Sequence, residues 1–355
     1  MLKQAGAIVV GGGIVGASIS YSLANMGIDD VVLLDKENIA SGSTKHSGGM
    51  IRIFHLDSYL SEMASESFRF FLNHPLETGY VQTGTLFLLG EEDLTKAKME
   101  VGKLQEAGQT LRLLSRADGE KRFQIFKWAG ISGAVYEENG GYVDPVSTTQ
   151  FLISRSQELG TMVYEGLSVE EIIVREQQVV GARTQMGIIE SPIVIVAAGA
   201  WSSQLVKPWE IGTPIRSKAI QVHGFKSIKN SEPLPCFVDN ITGLYGRSTA
   251  RNLSLIGYPT DDWDIDLEIK QSMDSNHGEV TKRVALDRIN WMGTGDFVDG
   301  RRSFDGYTLD GRGRITSLGG IRGLILASGW SGGGVKLAPS IGQRVAKLII
   351  NSGVL

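Results

Sequence analysis

Cysteine is nearly absent: Cys236 is the only one in 355 residues. A single thiol excludes an internal disulfide framework and a cysteine metal cluster, and it fits a reducing compartment. Histidine is scarce as well, and His55, His74, His223 and His277 show no metal-ligand spacing, so each reads as structural and no metal is expected. Positive charge is not in excess. The formal net charge of −4 argues against nucleic acid as the main partner. No uninterrupted apolar stretch approaches membrane-spanning length, and no repeat or low-complexity tract stands out. The apolar N-terminal segment is broken by Gly11, Gly12 and Gly13 and followed by an amphipathic helix. It is therefore expected to belong to a nucleotide fold rather than to an exported leader, and a cytoplasmic location is expected.

What is present is an ordinary globular balance, 42% hydrophobic and 21% charged, in a chain long enough for two interlocked domains. Gly11, Gly13 and Gly16 stand in AIVVGGGIVGASISYSLANMG, and an acid, Asp35, closes the following run DDVVLLDK. Ala7 to Val10 reads as a buried strand. Gly11 allows a tight turn, Gly13 lets the backbone approach a pyrophosphate, and Gly16 lets the next helix pack on the strand. That helix, from near Ile14 and Val15, points free N–H groups at the phosphates. Asp35, with Lys36 beside it, can accept hydrogen bonds from a ribose hydroxyl pair. Strand, glycines, helix, strand and acid in this order predict a bound dinucleotide.

Further along, Ser58 to Leu72 has the spacing of a helix with one buried face, and TGTLFLLG reads as a strand. A charged helix is expected over 91–107 and another from about Pro145 to Leu159. The segment from Ser168 reads as a short antiparallel sheet with turns at Glu176-Gln177 and Gly187. It returns into a strand, Ile193 to Ala197, that ends in small residues, Ala198 and Gly199, with Trp201 following. Residues 214–304 alternate apolar and polar positions, as in a sheet with one covered face. The end of the chain is another strand, a glycine loop from Gly329 to Gly334, and a helix expected from near Ala338.

The motifs VVGGGIVGASISYSLA, GSTKHSGGMIR, GGYVDP, IVIVAAGAWS and LILASGWSGGGVKLAPSIG occur in an order that spans the chain. In this layout it resembles the D-amino-acid oxidase superfamily of FAD enzymes, and within it the sarcosine oxidase and glycine oxidase-like branch. The resemblance implies an α/β, two-domain fold: a Rossmann-like FAD-binding domain (1–75, 145–212 and 305–355) with an inserted, mostly antiparallel-sheet substrate domain (76–144 and 213–304). It implies that Ser43, Thr44, His46, Gly48, Gly49 and Met50 contact the flavin and that Val169 meets the adenine. The final loop, Gly329, Trp330, Gly332, Gly333, Gly334 and Val335, would place a helix end at the flavin ring.

The resemblance also implies that Arg52 and Lys336 hold the substrate carboxylate, since a carboxylate removed from water needs charge-assisted donors. Tyr245 falls where such enzymes place an aromatic residue over the substrate. The expected activity is oxidation of the C–N bond of a small amino acid (N-methyl, cyclic or D-configured), giving an imine that hydrolyses. The sequence departs from the branch at two places. Ser303 stands near the site of a flavin-linking cysteine, so a non-covalent FAD is expected, with His46 as the other candidate attachment point. The segment NLSLIGYP has no oxygen-activating lysine, which leaves Lys45 as a replacement cation and either oxygen or another acceptor as oxidant. A dehydrogenase subunit for proline or hydroxyproline in a hetero-oligomer, and a flavoprotein with a purely structural FAD, are the other readings.

Overall fold

The computed structural model describes residues 3–209, 214–227, 232–250, 252–269 and 271–353. The apolar runs at Ala7–Val10, Val31–Leu34, Val194–Val196 and Leu324–Ser328 are fully buried strands of one six-stranded sheet. Its order is Arg314–Ser317, Leu324–Ser328, Val194–Val196, Ala7–Val10, Val31–Leu34, Met162–Tyr164, parallel except for the first strand at the edge. Continuous apolar runs are what a parallel sheet covered on both faces requires. Alternate residues serve the two faces. Val9, Leu33 and Ile195 pack with Leu23 and Ile341 on the helical side, while Ile8, Val32 and Val194 pack with Ile172 and Val179.

The helical layer comprises Ile14–Asn25, Ser58–Asn73, Pro145–Glu158 and Gly334–Asn351. The other layer is the antiparallel meander Val169–Arg175, Gln178–Thr184 and Gly187–Glu190. Glu176 and Gln177 both have positive φ (48° and 58°), as a two-residue hairpin turn matched to strand twist demands. The last helix starts at Gly334 rather than near Ala338. Gly333 caps it, and Pro339 lies inside the helix instead of marking its first turn.

The second large sheet has eight strands, drawn from two separate stretches of chain. Residues 85–137 contribute Arg112–Ser115, Gly133–Glu137 and Thr85–Leu89; residues 216–307 contribute the rest. The stretches meet where Cys236–Asp239 runs parallel to Thr85–Leu89. All other pairings in this sheet are antiparallel. The strand Asp296–Tyr307 crosses the 304/305 boundary expected from sequence, because Asp305 and Tyr307 still pair with Lys218 and Arg216. Residues 214–304 also include a helix, Ser275–Leu286, which sequence alternation did not reveal. It packs through Ala285 on the core around Phe225, Phe237 and Ile256. Among the described residues, no helix is long and apolar enough to cross a membrane.

Candidate functional site: one cavity for a dinucleotide and a carboxylate

Ala7–Val10 sits between Val31–Leu34 and Val194–Val196, whose connections leave it in opposite directions along the sheet. A crevice opens at the carboxyl ends of such strands. Here it forms a cavity of about 860 Å³, walled on its other side by residues of the eight-stranded sheet.

Gly11, Gly13, Ile14, Val15, Asp35 and Lys36 line it. Gly11 has φ 110°, and a Cβ there would lie 2.6 Å from the Ala197 carbonyl oxygen. Gly13 is different: a Cβ would meet only Thr44 Oγ1, at 3.3 Å, so the space in front of it belongs to the cavity. Gly16 is off the wall, and a Cβ there would lie 1.8 Å from the Gly11 carbonyl oxygen. The Asp35 carboxylate accepts N–H bonds from Gly12 (2.5 Å) and Glu37 (2.7 Å). Burial raises its pKa above the ordinary value, and those two bonds oppose the rise. The acid thus ties the glycine turn to the second strand while facing the cavity. Lys36 lies 4.2 Å over the Trp201 ring and pairs with Glu268, which also accepts from Trp201 Nε1.

Ser43, Thr44, His46, Gly48, Gly49 and Met50 line the cavity too, as do Val169, Ala198 and Gly199. Thr44 Oγ1 accepts from the Ile14 N–H (3.1 Å), joining this loop to the first helix. Burial and the nearby Arg301 and Lys45 hold His46 below its usual pKa. Lys45 itself is exposed and off the cavity wall. The short helix Ser43–His46 turns Thr44 inward and Lys45 outward, so the expected replacement cation is not brought to the cavity. From the last loop, Gly329, Trp330, Gly332, Gly334, Val335 and Lys336 reach the wall. Gly333 does not; its N–H donates to the Trp330 carbonyl (2.7 Å) at the helix start.

Arg52 and Lys336 meet in the same cavity, where Arg52 lowers the Lys336 pKa and both lower that of the buried His55. Burial is the larger cause for both, bringing Arg52 to about 10 and Lys336 to about 7. Arg52 Nη1 is buried with no hydrogen-bond partner. The acids facing them are already engaged. Glu137 accepts from the Ile53 and Phe54 N–H groups, and Asp305 from Gly306 and Gly332. Burial raises both carboxyls. Two enclosed cations with an orphaned donor call for an anion from outside the chain. Tyr245 lies across Gly257, where a Cβ would collide with its ring, and burial pushes its hydroxyl up to about 12.

The model of the DAO family, described as FAD dependent oxidoreductase, matches residues 7–348. The chain belongs to the FAD-dependent oxidoreductases of the DAO family. FAD is accordingly its cofactor, and the open approach at Gly13 together with the glycine turn at Asp35 fits that dinucleotide. Human sarcosine dehydrogenase is 26% identical over 98% of this chain and 40% of its own length. The 4-methylaminobutanoate oxidase (formaldehyde-forming) of Paenarthrobacter nicotinovorans is 24% identical over 97% and 43%. The chain thus spans well under half the length of these curated relatives. The crystal structure of L-proline dehydrogenase from P. horikoshii shares the fold, with a TM-score of 0.88 at 23% identity, covering 99% of this chain and 94% of that one.

Sequence reasoning overlooked Lys218, Arg247, Arg301, Asp305 and Tyr307, all on the cavity wall of this FAD enzyme. The signal was available for three of them. Arg301, Ser303, Asp305 and Tyr307 recur at every second position, and all four line the cavity.

Proposed function

We propose that the protein oxidises the C–N bond of a small amino acid, N-methyl, cyclic or D-configured, to an imine that hydrolyses. The observation that carries this reading is the meeting of Arg52, with its unpartnered Nη1, and Lys336 in the cavity that takes FAD. Bound FAD supplies the two-electron acceptor for hydride from the carbon beside the amine. The chain's part is orientation: Arg52 and Lys336 grip the carboxylate, and Tyr245 and Trp330 close the pocket over the rest of the substrate. Relatives named for sarcosine and 4-methylaminobutanoate, both N-methylamino acids, support the substrate class. We assign 1–75, 145–212 and 305–355 to the FAD-binding part and 76–144 and 213–304 to the substrate part, with the strand Asp296–Tyr307 shared between them. The flavin is inferred to be non-covalent, as Ser303 offers no thiol. With Lys45 turned outward, an acceptor other than oxygen is favoured. The buried free Cys236 fits a reducing compartment such as the cytoplasm.

The test is binding and reduction of the purified yellow protein, whose colour should leave the pellet on acid precipitation. Arg52→Ala and Lys336→Ala should each lose a charge-assisted contact of about 1.5–3 kcal/mol. That is roughly ten- to more than a hundredfold in affinity for substrate and for acetate. Carboxylate binding to the wild type should weaken as pH rises through about 7, where the Lys336 ammonium gives up its proton, and Lys336→Met should remove that dependence. Normal acetate binding by both alanine variants would sink the carboxylate clamp.

A further inference from the structure

We propose that the cavity holds a second carboxylate of its substrate on Arg301 and Arg247, so that the preferred amino acid is dicarboxylic. The proposal rests on the reading of this cavity as an amino acid oxidation site.

The pairing register places Arg301, Val222, Gly257 and Tyr245 on one rung across four adjacent strands, and all four line the cavity. Because Gly257 carries no side chain, the Tyr245 ring lies over it, and the Tyr245 hydroxyl and Arg301 act on each other electrostatically. Arg247, two residues beyond Tyr245 on the same strand, lines the cavity as well.

Neither guanidinium has a carboxylate partner among the described residues. Arg301 Nη2 donates to the Ser47 carbonyl (3.1 Å), but its Nε is buried with no hydrogen-bond partner. Arg247 donates to the carbonyls of Gly48 (2.8 Å) and Ser248 (3.2 Å), with its guanidinium carbon 3.6 Å over the Tyr142 ring. The two lie close enough for Arg301 to lower the Arg247 pKa, and Asp144 and Asp299 act on them only from beyond ion-pair distance. Two other enclosed arginines, outside the pairs at this cavity, do have carboxylate partners. Arg288 is bonded to Asp239, and Arg302, the next residue after Arg301, to Asp262.

Two half-enclosed cations, one with an orphaned donor, are stabilised by an anion that accepts from both. Arg52 and Lys336 already account for one carboxylate. The Arg301–Arg247 pair, across Tyr245 on the sheet wall, accounts for another at the far end of the substrate. A planar carboxylate suits two guanidinium forks better than a point anion does.

The experiment is titration of the FAD-loaded protein with glutarate and with valerate, five-carbon acids differing by one carboxylate, read from the flavin spectrum. Wild type should bind glutarate about tenfold or more tightly than valerate. Arg301→Met and Arg247→Met should bring that ratio toward unity, and Arg301→Lys should restore part of it. The ratio of reduction rates for N-carboxymethylglycine over N-methylglycine should fall in parallel. An equal affinity for the two acids in the wild type, or a glutarate preference that survives both methionine variants, overturns the proposal. Loss of FAD from Arg301→Met in a protein with no glutarate preference would assign the pair to the cofactor's phosphates, which also overturns it. A glutarate preference lost in the variants, in a protein whose flavin no amino acid reduces, upholds the anion subsite and rejects C–N oxidation.

Discussion

Gly13 and Gly16 belong to the same fingerprint and have different jobs. Around Gly13 the protein leaves room, since an added Cβ would meet nothing nearer than Thr44 Oγ1 at 3.3 Å. Around Gly16 it leaves none, with the Gly11 carbonyl oxygen 1.8 Å from where a Cβ would stand. Gly13→Val should therefore fold with a melting temperature close to that of the cofactor-free wild type, yet be colourless, because its bulk enters the space of the pyrophosphate. Gly16→Val should instead fail to fold or unfold early, because helix and strand can no longer touch. Flavin absorbance and thermal melts on both variants check this. A yellow Gly13→Val would refute the pyrophosphate assignment. Both glycines were legible from spacing alone. Their different roles were not, because nothing local reports which Cβ direction meets backbone and which meets empty space. The same limit applies to Lys45. Its place in the flavin loop is plain in the sequence, but the turn of a short helix carries it outward.

At the scale of elements, the first and last helices form the most extensive contact of the helical layer. Ser18 Oγ donates to the Ala338 carbonyl (2.7 Å), and a Cβ on Gly342 would come within 2.4 Å of the Ser18 carbonyl oxygen. This contact holds the final glycine loop beside the fingerprint on the wall of one cavity, where a Cβ on Gly334 would lie 3.8 Å from Val15 Cγ2. Gly342→Val should push the helices apart at a cost of about 1–3 kcal/mol or more. The expected result is a lower urea midpoint and weaker FAD retention; an unchanged midpoint would show that the helices are free to separate. The strands of this layer were readable as apolar runs. The helix start at Gly334 was not, because Gly332, Gly333 and Gly334 read locally as loop although the last of them already lies in the helix.

For the molecule as a whole, the eight-stranded sheet depends on two distant stretches of chain staying joined. Arg288 and Asp239 form a bonded pair, 5% and 0% exposed, and Arg288 Nη1 also donates to the carbonyls of Lys127 and Ala129. The pair thereby links both stretches. Arg288→Met should strand a buried carboxylate and cost about 3–5 kcal/mol. It should be read as a large drop in the denaturant midpoint, and a drop under about 1 kcal/mol would mean the sheet is held by its apolar core alone. The sequence by itself determined the dinucleotide fingerprint and the final strand, glycine loop and helix, because each is a local pattern of backbone freedom, while the flavin loop and the Arg52–Lys336 pair were expected from the family resemblance. Only the tertiary structure decided that Arg301 and Arg247 face the same cavity as that pair. Their convergence comes from register across four strands and from the bare position at Gly257, over which the Tyr245 ring lies, neither of which a local pattern encodes.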